Sequence, residues 1–129
     1  MAHLVIEYSA GMEERCRTGA LCGAVYGAMK NCGIFPLAGI RVRAHRANYA
    51  IVADGKAGND FIHMTLSVGA GRTTEALKDA GQMVFDAARS VLGEPLASQY
   101  FALSLEIRVI DPELSWKDNP IHARLAGQS

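Results

Sequence analysis

The spacing of apolar residues switches from two to about four and back to two, and the same switch occurs twice along the chain. Leu4, Ile6 and Tyr8 alternate with His3, Val5 and Glu7, the pattern of a strand with one buried face. From Glu13 to Asn31 the period becomes helical, with Cys16, Ala20, Ala24, Ala28 and Cys32 four apart, Leu21, Val25 and Met29 beside them, and Gly33 placed as a C-cap. After Pro36 and Gly39, Ile40, Val42 and Ala44 alternate with Arg41, Arg43 and His45. The stretch DGKAGND, 54 to 60, is a loop by composition. Ile62, Met64, Leu66 and Val68 then mark a third strand. A helix is predicted from about Thr73 to Leu92 through Leu77, Ala80, Val84, Ala88 and Val91, and LSLEIRV forms a fourth strand.

This order is β-α-β, repeated. It predicts an α/β (α+β) fold, a single domain over 1–129 with pseudo-repeats at about 3–46 and 60–110. Parallel crossovers are right-handed in ~98% of cases, so both helices should cover one face of a four-stranded sheet. The opposite face then carries Val5, Glu7, Arg41, Arg43, His63, Thr65, Glu106 and Arg108. Such a face of mixed charge suits water, and it equally suits a symmetric contact with further copies of the chain.

Composition narrows the function classes. Half of the 129 residues are apolar, and 13 basic side chains balance 13 acidic ones. Nothing approaches the ~20 consecutive apolar residues of a membrane span, and a net charge of zero gives no general attraction to nucleic acid or an anionic membrane. Neither partner is expected. Cys16, Cys22 and Cys32 are odd in number and share one helical segment, which favours small packing residues over a disulfide framework or a metal site. Without a signal-peptide pattern near Glu7, the expected compartment is the cytoplasm.

Two stretches hold groups suited to chemistry. In GIRVR, Arg41 and Arg43 point the same way from one strand, and a guanidinium binds both oxygens of a carboxylate. A solvated arginine ladder would look the same. In SVGAGRT, a glycine turn carrying Arg72 leads into a helix start, which suits an anion or simply a good turn. His3, His45 and His63 are further acid-base candidates, although histidines on strands are more often structural. Trp116 is a candidate interface anchor. The terminus is also notable, because the strand begins at once and an α-amino group titrates near neutral pH.

The runs GIFPLAGIRVRAH (33 to 45), FIHMTLSVGAGR (61 to 72), LSLEI (103 to 107) and IHA (121 to 123) resemble the 5-carboxymethyl-2-hydroxymuconate isomerase family of the tautomerase superfamily. The resemblance implies two β-α-β units per subunit and a homotrimer whose sheets surround a channel. It implies a proton-moving isomerase of unsaturated 2-hydroxy or 2-oxo dicarboxylates in aromatic-compound degradation, with a small dicarboxylate as substrate and no metal or cofactor. It places the substrate-binding arginines at Arg41 and Arg72, and the general base at the amine of residue 2 once Met1 is removed. That residue is proline in the superfamily and Ala2 here, which leaves open a diverged or non-catalytic trimer that binds small carboxylates.

Overall fold

The computed structural model describes residues 1–127, and its strands lie where the alternation places them. β1 (Ala2–Ser9), β2 (Ile40–Ala47), β3 (Asp60–Gly69) and β4 (Phe101–Ile110) form one sheet in the order β2-β1-β3-β4. β1 runs parallel to β2, β3 runs parallel to β4, and the two pairs meet antiparallel through β1 and β3. Parallel neighbours need a long crossover, and the helical segments supply it in each half. Ala2 stands opposite Ile40 on one side and Val68 on the other. The beginnings of β1 and β2 and the end of β3 therefore share one end of the sheet.

Helices α2 (Thr18–Asn31) and α3 (Thr74–Leu92) pack on the same sheet face. There Leu4, Ile6, Met64, Leu66 and Val68 are fully buried with Leu21, Val25, Met29, Val84 and Ala88. Val42, Ala44, Leu103, Leu105 and Ile107, on the outer strands, are half-buried at the margin of this core. Thr73 caps α3 by accepting a hydrogen bond from the Ala76 amide at 3.1 Å. No helix among the described residues is long and apolar enough to cross a membrane.

The first helical segment differs from its sequence pattern. A separate turn, α1 (Met12–Arg15), precedes α2, and Cys16 and Arg17 between them are extended. Met12 is buried and Arg15 is held by Asp60, so the chain must be re-aimed before α2 can bury its own stripe. That stripe is Leu21, Val25, Ala28 and Met29, while Ala20 is exposed and Ala24 half-buried. The large side chains win the core because each buries more apolar area than an alanine. Gly33 follows the helix end with a φ of 81°, the left-handed conformation for which glycine is suited. The three cysteines are free thiols packed at the core margin, and burial pushes Cys16 and Cys22 above the usual thiol range.

Asp60 belongs to β3 and not to the loop its composition suggests. It is 7% exposed and accepts from Ser9 Oγ at 2.6 Å and from Arg15 Nη1 at 3.0 Å. Ser9 Oγ in turn accepts from the Phe61 amide at 2.9 Å. This clasp joins the end of β1, α1 and the start of β3. On the outer face, His63 Nδ1 lies 2.6 Å from Ser104 Oγ, and Arg108 donates to Glu106 at 2.7 Å. That hydrogen bond holds the Glu106 carboxyl below its usual range.

Replacing Asp60 with alanine should lower unfolding free energy by about 2 to 3 kcal/mol, since it strands the partly buried Arg15 and the Ser9 hydroxyl. Asp86→Ala, which removes only an exposed bond from Gln82 within α3, should cost about 0.5 kcal/mol or less. Urea denaturation of the two variants compares them directly.

Candidate active site

The shared register at one end of the sheet fixes the position of residue 1. The Met1 carbonyl accepts from the Gly69 amide at 3.1 Å, which extends the β1–β3 ladder to the terminus. On the other side, a Cβ built on Gly39 would lie 3.1 Å from both the nitrogen and the Cα of Met1. A side chain at position 39 would make Met1 give way by a few tenths of an ångström, so glycine lets the two backbones pack closely there. The Ala2 side chain faces away into the core and is fully buried. The Ala2 nitrogen is in the peptide bond to Met1, and the terminal amine is that of Met1.

Beside Met1 is a cavity of about 630 Å³, lined also by His3, Pro36, Gly39, Arg41, Trp116, Lys117, Asp118, Asn119 and His122. A second recess of about 280 Å³, bordered by Gly69, Ala70, Ile110 and Ser115, shares Met1 and Lys117 with it. The far wall is built by the chain after β4, which ends in α4 (Pro120–Ala126). Asn119 holds that wall in place. Its Nδ2 donates to the Ala38 carbonyl at 3.1 Å, and its Oδ1 caps α4 by accepting from the His122 amide at 3.1 Å.

Partial burial and three cations act on the terminal amine. Desolvation first, then Arg72, Lys117 and Arg41, push its pKa below the ordinary 8.0. His3 is pushed down as well, by burial and then by Arg41, Arg43 and the amine itself. Arg41 Nη1 lies 2.7 Å from His3 Nε2. Because a guanidinium has donors only, Nε2 is the acceptor, and the neutral imidazole carries its proton on Nδ1. His3 thereby props Arg41 at the cavity wall.

The expected site residues divide. Arg41 and His3 line the cavity with Met1. Arg72 stands behind it, donating from Nε to the Ile34 carbonyl at 3.0 Å and from Nη1 to Gly69 at 3.1 Å, with its guanidinium 5.1 Å from the centroid of the Phe35 ring. The Gly69 amide is taken by Met1, so it is not an open anion donor. Arg43, His45 and His63 lie on the outer sheet face, away from the cavity lining. Trp116 lines the cavity although it is 86% exposed. Lys117 and His122 are additions that sequence patterns did not supply. Asn119 followed by Pro120 is a legible helix start, but nothing local says where that helix docks.

A model of the 5-carboxymethyl-2-hydroxymuconate isomerase family matches residues 2–125. The chain belongs to this family. A 5-carboxymethyl-2-hydroxymuconate Delta-isomerase from Escherichia coli is 37% identical over 123 residues, covering 95% of this chain and 98% of that protein. The crystal structure of a 5-carboxymethyl-2-hydroxymuconate isomerase from Deinococcus radiodurans R1 superposes with a TM-score of 0.88 at 33% identity, over 96% of this chain and 93% of that one. A fused 4-OT protein, described as a symmetric trimer, has a TM-score of 0.66 at 17% identity over 90% and 93% of the two chains, and shares the fold alone.

Lys117→Met removes one of the cations facing the amine and should move its pKa back up toward 8.0. At pH 7 the neutral fraction then falls. The pH dependence of acylation at the α-amine, read by mass spectrometry, should have its midpoint below 8.0 in the wild type and higher in the variant. High salt should narrow the difference by screening Lys117. Equal midpoints at low salt would remove Lys117 from this role.

Proposed function

We propose that this chain is an isomerase that moves a proton within an unsaturated 2-hydroxy or 2-oxo polycarboxylate of the 5-carboxymethyl-2-hydroxymuconate type, in aromatic-compound degradation in the cytoplasm. The observation that carries this reading is a terminal amine with a lowered pKa, set on a cavity wall together with Arg41, in a member of this family. The neutral amine accepts the proton released by the substrate's 2-hydroxyl group as the 2-oxo group forms. The resulting ammonium, surrounded by cations, returns a proton to a carbon of the conjugated chain. Atoms balance, because one proton leaves oxygen and one arrives at carbon.

Arg41 binds one substrate carboxylate, held in position by its bond to His3. Arg72 keeps its Nη2 group and its charge for a carboxylate, while Nε and Nη1 brace the turn behind the amine. Lys117, between the two recesses, faces the second carboxylate of an extended substrate. The base is the amine of Ala2 after removal of Met1, or that of Met1 itself where it is retained. Both are primary amines, in contrast to proline.

A homotrimer of single-domain subunits, each with its two β-α-β repeats, completes the reading. Supporting it are large apolar side chains left in solvent on one subunit, Tyr49 at 98% exposure, Ile51 at 92% and Leu114 at 73%. Light scattering should give three times 13.8 kDa at micromolar concentration. A stable monomer would leave those residues without cover.

Turnover of 5-carboxymethyl-2-hydroxymuconate, followed by loss of dienol absorbance, tests the activity. Arg41→Ala should raise KM about tenfold or more, because one charged hydrogen-bond partner is worth about 1.5 to 3 kcal/mol. No turnover by a folded wild-type protein sinks the isomerase reading, and an unaltered KM in the variant sinks the role of Arg41.

A further inference from the structure

We propose that the smaller recess is a subsite for the carboxymethyl branch of the substrate, where Lys117 and Ser115 receive the branch carboxylate, so that the site selects branched muconates over unbranched ones. The proposal takes its substrate from the isomerase reading and adds which arm of the molecule lies where. A 5-carboxymethyl-2-hydroxymuconate is a six-carbon conjugated chain with a carboxylate at each end and, on C5, a two-carbon arm that carries a third. Such a forked anion calls for a forked site.

The cavity and the recess together make that fork. Both are lined by Lys117, so its ammonium stands where the two meet. The cavity of about 630 Å³ holds Arg41 and Trp116, a carboxylate receptor and a flat wall for a conjugated chain. The recess of about 280 Å³ has room for a short arm. Gly69 and Ala70 leave it open, Ile110 and Pro112 give it apolar sides suited to a methylene, and Ser115 contributes a hydroxyl. Ser115 is extended, with φ −137° and ψ 128°. Residues two apart on an extended chain face the same side, which is why Ser115 and Lys117 both line the recess.

The recess is cationic for a second reason. Arg72 donates from Nη1 to the carbonyl of Gly69, a lining residue, at 3.1 Å, which places a guanidinium behind the recess. The acids near it in sequence are directed elsewhere. Asp111 Oδ1 accepts from the Glu113 amide at 2.9 Å, and Asp118 lines the larger cavity. A carboxylate in the recess therefore meets two cations and no acid among the lining residues. An unbranched chain leaves the recess to water and makes none of these contacts.

Calorimetry with two saturated, unreactive ligands tests the subsite. Adipate has the six-carbon chain and its end carboxylates, and pentane-1,2,5-tricarboxylate adds the carboxymethyl arm beside one end. The wild-type protein should bind the tricarboxylate about tenfold more tightly than adipate, the worth of one charged hydrogen-bond partner. Ser115→Leu, which fills the recess and alters no charge, should remove that preference. Lys117→Met, which leaves the recess open and takes its cation, should remove most of it. Equal binding of the two ligands by the wild type overturns the proposal, as does a preference that survives either substitution. On the same preparations, the ratio of kcat/KM for 5-carboxymethyl-2-hydroxymuconate to that for 2-hydroxymuconate should fall about tenfold in each variant. Loss of Lys117 shifts the terminal amine for both substrates alike, so that shift cancels in the ratio. Ligand preference without turnover of either dienol refutes the isomerase reading alone, and turnover of both dienols without ligand preference refutes the subsite alone.

Discussion

The site depends on β1 being hydrogen-bonded from its first residues on both sides. With Ala2 paired to Ile40 and Val68, the end of the chain has no freedom to fray, although termini ordinarily do. A slip of one residue would exchange the two faces of the strand, taking Leu4 and Ile6 out of the core and placing His3 within it. The cost of exposing those side chains guards the position of the amine. Core packing and the chemistry at the cavity are thus governed by one register.

The same register explains how a chain of zero net charge creates a strongly cationic place. Arg41 is the second residue of β2, Arg72 follows the end of β3, and Lys117 comes from the segment after β4. They are far apart in sequence and converge because three strand termini share one end of the sheet. Arg72 is fixed by backbone carbonyls and an aromatic ring, so among the described residues it has no carboxylate partner to neutralise it. Its charge acts on the amine undiminished by an ion pair.

Much of this was legible in the residues, and the limits have physical causes. Strict alternation reported all four strands and the correct buried face, because a period of two is imposed by the pleat itself. Helix α3 was legible for a similar reason, with Thr73 marking its start. The break at Cys16 and Arg17 was not, since it answers to Asp60, which is distant in sequence. Arg41 in GIRVR and Arg72 in SVGAGRT stood out as candidate anion-binding residues, the family resemblance implied their role as a pair, and the structure places Arg41 on the cavity wall and Arg72 behind it. Lys117, Asn119 and His122 escaped because a polar tail shows no periodicity, and its docking depends on a bond from Asn119 to the carbonyl of Ala38.

The tight seat of Met1 has a consequence for how the protein is made. Once its carbonyl is bonded to Gly69 and its nitrogen lies against Gly39, a peptidase cannot draw the terminus into its own cleft without first unzipping the end of a central strand. Any trimming of the first residue therefore belongs to the nascent chain. β1 is flanked by β2 and β3, so that interval lasts until residue 69 or so has left the ribosome and can close over it. The identity of the amine that the mature protein carries is then a matter of timing, decided by a race between translation and an enzyme before there is any cavity for the amine to face.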